Sequence, residues 1–248
     1  MEELEHSLFL VDLFNKIFGK PLAAVLGLAG LKVKDPAHLV PDYIVMVLFV
    51  VILLIVVFGL ASRKLSLVPS KRQSVLEMII QIFEGQIVDI IGEQGKKFLP
   101  LIATIGIFIF TCNMLGLVPG FMSPTSKLNV TLGCAMVVFI YYHWQGMKAQ
   151  GVLKYLKQFM GPIPALAPLL IPIEIISHFS RPVSLSMRLF GNIFAEEMLI
   201  MIMASIIPFF LPLPFMAVAI FTAVIQSFVF VLLSCIYISG AIAGEEEH

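Results

Sequence analysis

Hydrophobic positions in this chain come in long unbroken windows. Tyr43–Ser62, Phe98–Ser126 and Met198–Gly244 contain no charged side chain. A helix needs about 20 apolar residues to cross the hydrocarbon layer of a bilayer, and a stretch of 18 or more is read as a candidate span. A soluble core hides one such helix, hardly several. The pattern predicts an all-α, polytopic membrane protein.

The polar punctuation divides the chain. Residues 1–40 are mixed and read as an extramembrane segment, with short amphipathic pieces. Residues 41–62 form the first transmembrane helix. In residues 73–93, Glu77, Gln81 and Glu84 fall at i, i+4 and i+7 on one helical stripe, with isoleucines, valines and Met78 elsewhere. That is the pattern of an amphipathic helix lying in the membrane interface. Residues 98–147 read as a transmembrane pair, Phe98–Pro119 going out and Asn129–Trp144 returning. The Gly161–Pro168 run "GPIPALAP" is a loop, because proline removes backbone donors. Residues 165–240 carry two apolar segments, about 169–207 and 214–239, joined at "PFFLPLP" as a helical hairpin. Residues 241–248 are an acidic tail.

The first arm of that hairpin is too long for a simple crossing. At 1.5 Å per residue, Leu169–Ile207 makes about 58 Å of helix, against a hydrocarbon core of about 30 Å. It must slant steeply, break near Pro182, or both.

Charge sets the orientation. Arg63, Lys64, Lys71 and Arg72 follow the first span, Lys96 and Lys97 precede the second, and Lys148, Lys154 and Lys157 follow the third. Lysine and arginine in short loops favour the cytoplasmic side, which puts Met1 outside and His248 inside. The chain is 59% hydrophobic and 13% charged, with a formal net charge of zero, so nothing points to nucleic acid as a partner. Cys112, Cys134 and Cys235 lie in apolar stretches without metal-ligand spacing and read as packing residues. The N-terminus lacks the basic-then-apolar order of a signal peptide. No cofactor is expected.

Against this background the chemistry concentrates in "SRPVSLSMRLFGNIFAEE", Ser180–Glu197. Arg188 sits inside an apolar segment, where a charge costs from about 2.5 to well over 10 kcal/mol. With 100° per residue and Arg188 at zero, Glu174, Ser177, Arg181, Ser184 and Asn192 fall within about 40° of it. His178 and Glu196 lie about 80° to one side, and Glu197 on the opposite face. A structural pair between Arg188 and Glu197 within one helix is therefore ruled out by geometry, and Glu196 is a long reach. Ionisable residues inside spans mark ion pathways more often than packing. Thr222 and Gln226, at i and i+4 on the last segment with Tyr237 further along the same side, offer a facing polar seam. Alone, Gln226 would read as interhelical glue.

These residues carry a resemblance. "SRPVSLSMRLFGNIFAEE" followed by "FTAVIQSFVFVLLSCIYIS" resembles subunit a of the rotary F-type ATP synthase, and "GEQGKKFLPLIATIGIFIFTCNMLGLVPG" and "LNVTLG" resemble that family's second and third spans. The resemblance implies the membrane stator of a proton channel. Arg188 would face the carboxylates of a rotor c-ring. Glu197, with Glu196 as a second titratable group, would serve an outer half-channel. Asn192, Gln226 and Ser184 would lie near the arginine, and His178 and Glu174 nearer an inner half-channel. It also implies the c-ring, the peripheral-stalk subunit b and membrane lipid as partners, the F1 sector as an indirect one, the bacterial inner membrane as location, and no bond chemistry in this subunit. Some members pair the outer acid with a histidine on the last helix. Here that helix has none, with Ala219 and Thr222 in that region.

Two other readings fit less well. A self-contained secondary transporter would show internal repeats, and polarity here gathers in the last third. An intramembrane hydrolase would need HExxH, paired aspartates or GxSxG, which the spans lack.

Overall fold

The computed structural model describes residues 11, 15–16, 40–64, 70–118, 121–158, 167–208 and 210–243. Most of the 1–40 segment, the proline-rich 161–166 run and the acidic 244–248 end lie outside the described residues. Among the described residues there is helix and no strand, so the chain is an all-α polytopic membrane protein. The α-helices whose bounds fall among the described residues are α1 (Asp42–Ala61), α2 (Lys71–Ile91), α3 (Leu99–Gly116), α4 (Leu128–Gln150), α5 (Val152–Gln158), α6 (Ala167–Ile206) and α7 (Pro212–Ala243).

Local sequence explains the boundaries. Pro41 precedes α1, and Asp42 in the first turn suits the helix dipole. Ser70 caps α2 by accepting from the Gln73 amide at 3.4 Å, and Gln73 Nε2 donates to Glu77 Oε1 at 2.8 Å one turn on. Helix α2 stops at Gly92, whose φ of 85° suits glycine. The chain then folds back through a 3-10 turn, Glu93–Phe98, in which Lys96 meets Glu93 at 2.7 Å and Glu84 at 3.2 Å. Gly151, with φ 82°, ends α4 in the same way and redirects the chain into α5.

Among the described residues, four helical stretches are long and apolar enough to cross a membrane: Asp42–Ala61, Glu93–Gly116, Pro168–Ile206 and Pro212–Ile242. Helix α4 is not among them, because Tyr141, Tyr142, His143 and Gln145 interrupt its apolar run. It packs instead against both α6 and α7, while α3 and α2 pack against α7. Phe98, Ile102, Ile109, Val138, Tyr142, Leu189, Phe230 and Ile238 are the nearly inaccessible centre of that packing. At Gly106 three helices come close together. A Cβ there would lie 2.7 Å from both Phe83 of α2 and Val231 of α7, so a hydrogen at this point is what lets three helices meet.

Helix α6 is unbroken over 40 residues, with Pro172 and Pro182 inside it. Of the alternatives the sequence allowed, the break is not taken. A helix of about 60 Å is twice the hydrocarbon thickness, so the excess must go into slant or projection beyond the core. Helix α1 is tied down only at its start, where Val45, Met46 and Val50 are buried. Ile52, Ile55 and Leu60, further along, are more than half exposed.

Candidate ion pathway

The polar residues of α6 and α7 meet in register. Asn192 Nδ2 donates to Gln226 Oε1 at 2.9 Å. Four residues further along α6 and four back along α7, Glu196 stands against Thr222. Eleven residues the other way on both helices, the Arg181 guanidinium lies 5.5 Å from the centre of the Tyr237 ring. Two antiparallel helices keep such a ladder only if they run side by side over this whole length.

Arg188 falls between these rungs and joins none of them. It is exposed, and among the described residues it has no hydrogen bond, ion pair or ring contact. The buried stripe of α6, Pro182, Leu185, Leu189 and Ile193, is centred about 100° around the helix from it. Ser184 and Asn192, one turn to either side, are exposed with it, whereas Gln226 is buried behind Asn192. Arg188, Ser184 and Asn192 thus form a short polar strip at the outer edge of the hairpin, bordered by exposed Val183, Met187 and Phe194.

At the end nearest the α3–α4 loop, Glu197 points away from that strip. Its Oε1 accepts the Ser123 amide at 3.0 Å, with the Ser126 side chain alongside. The loop that holds it is a tight polar knot. Ser123 Oγ donates to the Cys112 carbonyl at 3.1 Å and lies 2.7 Å from Thr125 Oγ1, which donates to Asn113 Oδ1 at 2.6 Å. Asn113 is buried, and its Nδ2 has no partner among the described residues. A cavity of about 280 Å³ opens here, with Asn113, Ser123, Glu196 and Glu197 contributing its polar lining. Gly116 is required by the same knot, since a Cβ would sit 2.5 Å from Ser123 Cβ and 3.2 Å from Glu197 Oε1.

At the opposite end a second polar group forms between α4, α5 and α6. His178 Nε2 is 3.3 Å from Glu174 Oε1, and its Nδ1 is 3.2 Å from the Tyr142 hydroxyl. The His143 ring lies 5.1 Å from that of His178, and His143 Nδ1 is 2.7 Å from the Tyr155 hydroxyl. Glu174 and His178 are thus together, but far along α6 from Glu196 and Glu197.

Sequence reasoning did not single out Asn113, Ser123 and Thr125 at one end, nor Tyr142, His143 and Tyr155 at the other. The first three come together only through a loop that carries no periodicity. His143 did carry a signal, an ionisable side chain within an apolar segment, though near the segment's end.

The arrangement is two separate polar clusters at the two ends of a helical hairpin, with Arg188, which has no partner among the described residues, at the outer edge between them. The chain belongs to the ATP synthase A chain family, whose model matches residues 43–239. Its relatives include bacterial ATP synthase subunits a. ATP synthase subunit a of Helicobacter hepaticus is 48% identical over 202 residues, covering 81% of this chain and 89% of the relative. That of Campylobacter fetus subsp. fetus is 44% identical over 209 residues, covering 84% and 92%. That of Geotalea daltonii is 46% identical over 207 residues, covering 84% and 89%.

Proposed function

We propose that this chain is the proton-channel stator of the membrane sector of a bacterial rotary ATP synthase. It provides two offset half-channels and sets Arg188 against the carboxylates of a turning c-ring. The observation that carries this reading is the state of Arg188. A guanidinium on the outside of a membrane helix with no partner among the described residues of its own chain cannot be left to lipid, so a neighbouring subunit must supply the counter-charge. A passing carboxylate satisfies that need and still lets go.

The roles follow from the chemistry. Arginine stays protonated, so Arg188 relays nothing. It holds each arriving rotor carboxylate ionised and blocks direct proton leakage between the two paths. Glu197 and Glu196, on the cavity by the α3–α4 loop, serve the outer half-channel. Glu174 and His178 serve the inner one. Ser184 and Asn192 line the rotor side, with Gln226 holding Asn192 from behind. A proton crossing 100 mV releases about 2.3 kcal/mol, so several crossings must be coupled mechanically to one ATP made elsewhere in the complex.

On this reading α4 crosses the membrane antiparallel to α3. Met1 is outside, His248 is cytoplasmic, and the location is the bacterial inner membrane. The c-ring, subunit b and lipid are direct partners, and F1 an indirect one. Cysteine cross-linking tests the rotor contact. Ser184→Cys and Asn192→Cys should each form a disulfide with a cysteine placed beside the rotor carboxylate, whereas Ser205→Cys, further along α6, should not. Failure of both, in an assembled complex, contradicts the reading.

A further inference from the structure

The proposed inner path uses Glu174 and His178 and leaves the α4 side of their cluster without a role. His143 stands there, an imidazole five residues before Lys148 at the end of a largely apolar segment. Ionisable side chains inside such segments mark ion pathways more often than packing. Three aromatic rings wall it in, with centres at 4.4 Å for Phe139, 4.3 Å for Tyr142 and 5.8 Å for Tyr155. Its fourth ring neighbour is His178, at 5.1 Å.

Only one of the two His143 nitrogens is engaged. Nδ1 lies 2.7 Å from the Tyr155 hydroxyl, and Nε2 has no hydrogen-bond partner among the described residues. An imidazole kept for structure alone has both nitrogens satisfied once it is enclosed. This ring is half-buried, held at one nitrogen and open at the other.

The held side suits either charge state. Tyr155 is 3% exposed, and a Cβ on Gly146 would lie 2.5 Å from its ring, so its place is fixed by packing. A hydroxyl donates to Nδ1 of a neutral imidazole and accepts from the N–H of a charged one. The bond therefore survives as His143 gains or loses a proton.

His178 is engaged at both nitrogens, Nδ1 3.2 Å from the Tyr142 hydroxyl and Nε2 3.3 Å from Glu174 Oε1. No hydrogen bond joins the two imidazoles, whose planes are 37° apart. A gap of this size is one that a single water bridges. The ionisable groups gathered around the pair are Tyr142 from α4, Tyr155 from α5, Glu174 and Arg181 from α6, and Tyr237 from α7. Arg181 is permanently charged, and two neighbouring imidazolium rings repel each other, so the pair takes up one extra proton at a time.

We infer that His143 is a proton-exchanging residue of the inner half-channel, with Tyr155 as its positioning residue. During ATP-driven pumping Nε2 takes a proton from cytoplasmic water, and the ring returns to neutral by giving that proton, through one water, to the Glu174–His178 pair. In synthesis the same transfers run backwards. The inference rests on the assignment of Glu174 and His178 to the inner half-channel.

The test is ATP-driven proton pumping by vesicles holding verified complex. His143→Gln keeps a polar group and cannot titrate. It should slow pumping about tenfold, less than the roughly hundredfold that a positioned acid–base group supplies in a reaction, because water in the path substitutes in part. Free imidazole added on the cytoplasmic side should restore much of the lost rate, which it would not do for a packing defect. Tyr155→Phe keeps the packed ring without the hydroxyl, and should slow pumping and shift its dependence on cytoplasmic pH. It carries the test if His143→Gln does not assemble. An unaltered rate in His143→Gln, a loss that imidazole does not restore, or an unaltered rate and pH profile in Tyr155→Phe would overturn the inference. Glu174→Gln/His178→Gln separates it from the reading beneath it. Slow pumping there beside normal pumping in His143→Gln removes His143 alone, whereas normal pumping in the double variant removes the inner-path assignment and this inference together.

Discussion

Asn192 of α6 donates to Gln226 of α7 across 2.9 Å, and the two residues differ sharply in exposure, Asn192 lying at the surface and Gln226 buried. That asymmetry gives the pair a direction. Removing the Asn192 amide strands a buried acceptor, at about 1–3 kcal/mol. Removing Gln226 leaves an exposed donor that finds other partners, and interhelical hydrogen bonds in membranes average only about 0.6 kcal/mol. In the detergent-solubilised chain, Asn192→Leu should therefore destabilise more than Gln226→Leu. Denaturant titration followed by circular dichroism reads the order, and the reverse order would contradict it.

The Glu197 knot makes a second prediction. Glu197→Gln keeps an acceptor for the Ser123 amide, so the complex should assemble, while ATP-driven proton pumping slows because the amide no longer titrates. Glu196→Gln/Glu197→Gln should slow it further. Proton uptake by vesicles holding verified complex is the measurement. Pumping at the unaltered rate in the double variant removes both residues from the outer path.

Packing makes a third. Gly106→Ala forces a methyl group into a space where Phe83 and Val231 leave 2.7 Å, at about 1–3 kcal/mol of overpacking cost. Gly133→Ala meets nothing within 4 Å and should be neutral or slightly stabilising, since alanine favours helix by about 0.5–1 kcal/mol. Thermal unfolding of the purified chain separates the two, and equal midpoints would contradict the close approach at Gly106.

Sidedness is the fourth. Ser126, in the α3–α4 loop, is only 3% exposed and makes a poor labelling site, whereas Leu128 is 37% exposed and Lys71 is at the surface. In a cysteine-free background, an impermeant thiol reagent applied from outside should label Leu128→Cys and spare Lys71→Cys. The opposite result would invert the proposed topology and both half-channels with it.

How much of this was legible in the sequence depends on the range of the contacts. The all-α membrane fold was, because hydrophobic length is a local property and the bilayer sets its scale. That Ser184, Arg188 and Asn192 share one helix face was also legible, since residues four apart share a face whatever the helix packs against. The course of α6 through Pro182 was not, because a proline in a helix is either a break or a tolerated gap, and only the surrounding packing decides. The knot that binds Glu197 was illegible for a different reason. Ser123 and Glu197 are 74 residues apart, and neither periodicity nor motif links a loop amide to a carboxylate on a distant helix. Tyr155 and His143 are only 12 residues apart, but their meeting depends on the turn at Gly151. Arg181 shared the predicted stripe with Arg188, yet it lies over Tyr237, whereas Arg188 is exposed at the edge of the hairpin.

The central claim is that Arg188 has no partner among the described residues of its own chain because its partner is a rotor carboxylate. Its most direct measurement is ATP synthesis together with proton flux in vesicles containing an intact complex with Arg188→Ala. Synthesis and ATP-driven pumping should both be abolished while the complex still assembles, and passive proton leakage should rise as the gate between the half-channels is lost. Arg188→Lys keeps the charge without the planar, weakly hydrated guanidinium and should be severely impaired as well. Coupled synthesis near the unaltered rate in Arg188→Ala would leave the arginine a surface residue without a role in coupling and contradict the account.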